Sequence, residues 1–101
     1  MTVHLTPEQL RLLWHIPRRH APHTQVFVFG SRAGRRPKPH ADLDLLLRAE
    51  GPIDPYRFAE LCLDFEDPDL PLRVDVLDYY RTDPDFLARI ASDCVPLPDE
   101  Q

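Results

Sequence analysis

Gly30 and Ser31 close one apolar run, Val26-Phe27-Val28-Phe29, and Asp42 and Asp44 open another, Leu45-Leu46-Leu47. These residue types at this spacing suit chemistry on phosphates. Short apolar runs bounded by turn residues read as buried strands. Side chains alternate along a strand, so Asp42 and Asp44 share a face, with Cα atoms about 6.6 Å apart. Two carboxylates on one face can hold Mg²⁺, a hard cation that takes oxygen ligands. Gly30 has no Cβ, so the backbone of the Gly30-Ser31 turn can approach a ligand closely. The N–H groups of such a turn form an anion-binding concavity. A phosphate cradle beside a carboxylate pair is the equipment for reactions of a nucleoside triphosphate.

The rest of the chain must hold these residues in place. Thr6-Pro7-Glu8-Gln9 is a helix start: Thr6 caps, Pro7 suits the first helical position and Gln9 completes a capping box. Leu10, Leu12, Leu13 and Ile16 form the apolar face, with Trp14 at its margin, and Pro17 is expected to end or kink the helix. A loop over residues 20–24 leads into the first strand. After the second strand, Ala49-Glu50-Gly51-Pro52 is a break. Asp54-Pro55 then opens a helix with Phe58, Leu61, Cys62 and Phe65 on one face. Leu72 to Leu77 reads as a third strand. Thr82-Asp83-Pro84 opens a last helix with Phe86, Leu87, Ile90 and Ala91 facing inward. Val95 to Pro98 is extended, and the last three residues are expected to fray. The expected order is α-β-β-α-β-α, an α/β (α+β) fold with a small mixed sheet and helices packed on it. The first two strands are joined by about fourteen residues, a length at which loops in compact domains are often functional.

Gly30-Ser31 followed by Asp42-x-Asp44 resembles the nucleotidyltransferase superfamily that includes DNA polymerase β. FGSRA followed by DLDLLL is similar to its minimal branch, the MNT domains. The match covers roughly residues 24–78, over half the chain. Arg35 stands where the family's loop usually carries glycine, and Ala41 where it usually carries serine before the first metal aspartate. Both differences touch the loop rather than the carboxylates.

The resemblance implies a third acidic residue on a later strand, for which LPLRVDVLD offers Asp75. Asp75 alternates with Val74 and Val76, so it points away from them. If the valines face the core, Asp75 is either a solvated residue or the neighbour of Asp42 and Asp44. Asp78 is the second candidate, but it shares the valines' face and is expected to lie beyond the strand.

The resemblance further implies Asp42, Asp44 and Asp75 as catalytic metal ligands for two Mg²⁺ ions, and Gly30, Ser31 and Arg32 as nucleotide-binding residues. Ser31 would hydrogen-bond the terminal phosphates. Arg32, Arg35, Arg36 and Lys38 are otherwise an ordinary solvated loop. ATP would be the substrate, and AMP would pass to a hydroxyl. In HEPN/MNT toxin–antitoxin pairs the acceptor is a tyrosine of a HEPN-type ribonuclease, with the MNT protein as antitoxin. Two alternatives stand beside this: a module that neutralises its partner by contact alone, and an enzyme modifying a small molecule.

The 101 residues suit one domain spanning 1–101. A chain of this size buries roughly 65% of its unfolded surface. A net charge of −5 argues against direct gripping of nucleic acid, which needs a basic face. No apolar stretch approaches the roughly 20 residues of a membrane span, and the N-terminus lacks the pattern of a signal peptide. Cys62 and Cys94 are isolated and read as reduced thiols of a cytoplasmic protein. The five histidines show no metal-ligand spacing and read as surface imidazoles. Tyr79-Tyr80 reads as packing or as part of a partner surface, and an oligomer is left open.

Overall fold

The computed structural model describes residues 5–30, 43–68, 70 and 73–99. Helix α1 (Pro7–His20) starts at the expected capping box, in which the Thr6 side chain accepts from the Gln9 N–H and the Gln9 side chain accepts from the Thr6 N–H. Strand β1 (Gln25–Phe29) pairs antiparallel with β2 (Leu43–Arg48). Helix α2 (Pro55–Asp64) begins at Asp54, whose carboxylate accepts from the Tyr56 and Arg57 N–H groups. It leads to β3 (Val74–Asp78), which lies parallel to β2. A 3₁₀ turn, Tyr79–Arg81, precedes α3 (Pro84–Ile90), capped by Asp83. A two-residue strand, β4 (Val95–Pro96), then pairs antiparallel with β1. The sheet order is β3-β2-β1-β4. The fold is mixed α/β, and the described residues form a small mixed sheet with three α-helices.

One face of the sheet carries the core. Val26, Val28, Leu43, Leu45 and Leu47 are buried there against Leu10, Leu13 and Ile16 of α1 and Leu61 of α2. Val74 and Val76 pack at the edge of the same cluster. The period-2 alternation sends the intervening residues to the other face: Phe29, Asp44, Leu46 and Asp75. There Phe86 of α3 meets Phe29 edge-on, with ring centroids 6.3 Å apart.

Several expectations need correction. Pro17 neither ends α1 nor prevents another turn, since the helix runs on to His20. Proline removes one hydrogen bond to the preceding turn. Here the Pro17 ring is fully buried in the core, and the Ala21 N–H closes the last turn on the Pro17 carbonyl. Trp14 is a core residue rather than a marginal one, because its indole N–H reaches the Pro98 carbonyl at 2.7 Å. Ala91, expected to face inward, is exposed, whereas Leu12 packs against the core as expected. The segment after Cys94 adds β4 to the expected order, held also by the Leu97 N–H on the Val26 carbonyl. Leu72 lies outside the described residues, which place the start of β3 at Val74. His20 is no surface imidazole: its side chain is 7% exposed and meets Asp64 at 2.6 Å.

Candidate active site

The parallel register of β2 and β3 pairs Asp44 with Asp75. Neighbouring strands lie about 4.8 Å apart, so the two carboxylates project side by side from the face opposite the core. The register is fixed from below, because Leu43 and Leu45, which flank Asp44, are fully buried, and Val74 and Val76 flank Asp75 in the same sense. A one-residue slip of β2 would turn Asp44 into the core and expose its leucines, and a slip of β3 would do the same to Asp75 and its valines. The Leu43 N–H also donates to the Arg73 carbonyl at 2.8 Å, tying the two strand starts together.

Gly30 follows β1 directly, and β1 pairs Phe29 with Asp44. Gly30 has φ +78°, in the region that disfavours side chains. A Cβ there would collide with Asp44 Oδ2. The backbone of the turn and one carboxylate are therefore in close approach, with room for no side chain between them.

Asp75 is 45% exposed at its side chain, and Arg73 Nε donates to its Oδ1 at 3.2 Å. Arg73 was not singled out by sequence. The signal was there: residues 73 and 75 fall on one face of an extended chain. Asp42, Ser31 and Arg32, with Arg35, Arg36 and Lys38, lie outside the described residues. Among the described residues no three His, Cys, Asp or Glu side chains gather as a metal cluster. Asp44 and Asp75 supply oxygen donors only, which fits Mg²⁺ rather than a softer ion.

Asp78 has another task. It is the last residue of β3, not beyond the strand, and is 4% exposed. It accepts from the Ile53 N–H at 2.9 Å and the Tyr80 N–H at 3.0 Å. Burial pushes both cysteine thiols up, and Asp93 adds to the effect at Cys94.

Such an arrangement is found in a known class. Residues 15–100 match the family described as Polymerase beta, Nucleotidyltransferase, and the chain belongs to it. A relative in Haemophilus influenzae, named "Probable protein adenylyltransferase MntA", is 38% identical over 79 residues, covering 78% of this chain and 69% of that protein. Among solved structures, a toxin–antitoxin complex with AMP-PNP is similar at a TM-score of 0.73 and 18% identity, over 91% of this chain and 74% of that one. A chain of the complex between the tri-AMPylated HEPN toxin of Shewanella oneidensis and its MNT antitoxin gives 0.66 and 19%, over 90% and 71%. A chain provisionally described as a minimal nucleotidyltransferase gives 0.65 and 29%, over 95% and 100%. No described helix is long and apolar enough to cross a membrane.

Proposed function

We propose that this chain, as one domain, transfers AMP from ATP to a tyrosine hydroxyl of a HEPN-type toxin, and so acts as its antitoxin in the cytoplasm. The observation that carries this reading is the in-register pairing of Asp44 with Asp75, with Gly30 packed against Asp44. The 38% identity to a protein named as an adenylyltransferase supports AMP as the transferred group. The similarity to chains of toxin–antitoxin complexes supports a HEPN-type protein as the class of partner.

In this reading Asp42 and Asp44 would hold the nucleotide's Mg²⁺, and Asp75 would help to hold a second ion. When bound, the ions neutralise charge on the α-phosphate and lower the pKa of the attacking hydroxyl. The Gly30-Ser31 backbone and the Ser31 hydroxyl hold the terminal phosphates. They would orient the leaving pyrophosphate in line with the acceptor, with Arg32 assigned as a counter-charge. The acceptor oxygen forms a bond to the α-phosphorus, the α–β bridging P–O bond breaks, and the hydroxyl proton passes to solvent.

The test is incubation with α-labelled ATP and Mg²⁺, with and without a cognate HEPN protein. Label on a toxin tyrosine, lost in Asp75→Asn, is the expected result. Neutralisation of the toxin with no label in either form would refute transfer. The second reading, neutralisation by contact alone, would then stand. It is favoured by one observation, the Arg73 guanidinium already seated on Asp75.

A further inference from the structure

Beside the carboxylate pair lies the outer edge of β3, and no described strand pairs with it. Two concavities meet along this edge at Val76. The first, of about 560 Å³, is bounded by Cys62, Phe65, Leu70, Arg73 and Asp75. The second, of about 360 Å³, continues past Phe58 and Leu77 to Asp78 and Thr82. Together they form a groove running the length of β3, floored by α2 and opening at Asp75 onto the carboxylate face.

We propose that this groove seats the acceptor. An extended segment of the acceptor protein lies along β3 as an added strand, its hydroxyl-bearing residue beside Asp75 and apolar residues on either side. The inference rests on the nucleotidyl-transfer reading above and adds to it where the acceptor binds and what sequence it needs.

An edge strand presents a row of outward N–H and C=O groups, and proteins usually blunt such edges with lysine, proline or a bulge. From Val74 to Leu77 this edge has neither lysine nor proline, and its one charge, Asp75, belongs to the candidate site. Strand addition draws affinity from the main chain and specificity from pockets for alternate side chains.

Geometry then fixes the pattern. A residue directly across from Asp75 has its Cβ about 5 Å from that of Asp75 and shares its face. A hydroxyl side chain there points to where Asp44 and Asp75 project. Its two neighbours in the segment turn to the opposite face, toward Val76, Cys62 and Phe65. The acceptor sequence is therefore apolar–hydroxyl–apolar. Continuity of the groove with Asp75 favours this occupant over a second copy of the chain, whose own β3 carries aspartate rather than a hydroxyl between its valines.

The probe is a short soluble peptide with Val-Tyr-Val at its centre. Alkylation of Cys62 and amide exchange over Val74–Leu77 are measured with and without it. The peptide is expected to protect both. N-methylation of the peptide at the amides facing β3 removes two or so main-chain hydrogen bonds and should weaken binding about tenfold or more. Cys62→Arg, which puts a charge in the floor, should do the same while ATP binding and the melting temperature hold.

Label transfer to the same peptides separates this proposal from the reaction. Protection of β3 without transfer supports the seat and refutes the reaction. Transfer that N-methylation and Cys62→Arg leave undiminished overturns the seat and leaves the reaction standing. Failure of the peptide to protect β3 overturns the seat. Sedimentation showing a dimer that already protects Cys62 without peptide also overturns it, assigning the edge to a second copy.

Discussion

Asp75 and Asp78 stand three residues apart on β3, an odd separation that sends them to opposite faces of the sheet. Asp75 keeps most of its oxygen valence for the surroundings, touched by Arg73 at 3.2 Å. Asp78 spends its oxygens on backbone: Oδ2 receives the Ile53 N–H and Oδ1 the Tyr80 N–H, with Arg81 Nε 3.7 Å away. The first has access to a ligand, and the second holds the β2–α2 connection and the 3₁₀ turn against the end of β3. Strand parity and the local supply of N–H donors, not the residue type, divide the two roles.

The largest effect should come from the ligand-facing side. Asp44→Asn or Asp75→Asn is expected to lower AMP transfer at least about a thousandfold, roughly 4 kcal/mol of transition-state stabilisation. Removing one of two like charges relieves repulsion, so melting in metal-free buffer should hold or rise. Single-turnover labelling and thermal melts check both halves. A variant that melts early as well would place Asp75 with Asp78 among the structural residues and dissolve the contrast.

Asp78→Ala reverses the pattern. It strands two N–H groups, one belonging to buried Ile53, and should cost about 2–4 kcal/mol of stability in denaturant titration. Transfer per folded molecule should be unchanged. Asp78→Asn keeps one acceptor oxygen and should cost about half as much. A lost reaction with intact stability would mean that Asp78, not Asp75, is the third carboxylate.

Gly30→Ala tests the contact between turn and carboxylate. A side chain at φ +78° costs about 1–2 kcal/mol. The new methyl must also displace Asp44 Oδ2, so activity should fall further than stability does. Equal losses in melting and in transfer would make Gly30 a turn residue only.

The same contrasts show what the sequence could carry. Alternation alone set Asp75 opposite Val74 and Val76, and the caps at Thr6, Asp54 and Asp83 were readable because their partners lie within three residues. What sequence could not supply was long-range. The parallel pairing that brings Asp75 to Asp44 joins residues thirty-one positions apart, and no local pattern encodes strand order. His20 with Asp64 and Trp14 with Pro98 are likewise meetings of distant segments. Pro17 broke a local rule because core burial outweighed one lost hydrogen bond. β4 is two residues long and ends in proline, too short for any periodicity. Of the six residues expected at the site, Gly30, Asp44 and Asp75 are described, and Asp42, Ser31 and Arg32 lie outside that range.

Arg73 gives the smallest effect and the finest division between the two aspartates. Its contact with Asp75 joins a side chain 73% exposed to one 45% exposed. Exposed pairs contribute about 0–1 kcal/mol, so Arg73→Ala should leave stability within about 0.5 kcal/mol. Its influence on metal binding is another matter. The guanidinium occupies Asp75 Oδ1, an oxygen the second cation would need, and its positive charge opposes that cation. Arg73→Ala should therefore tighten the Mg²⁺ dependence of transfer by roughly two- to fivefold, well under 1.4 kcal/mol. The gain should shrink as salt rises and screens the pair in the unmodified protein. Titration of transfer rate against Mg²⁺ at low and high salt measures it. If Arg73→Ala instead weakens Mg²⁺-ATP binding, the arginine is a phosphate ligand that rests on Asp75 between turnovers, and the carboxylate face extends one residue further toward the start of β3.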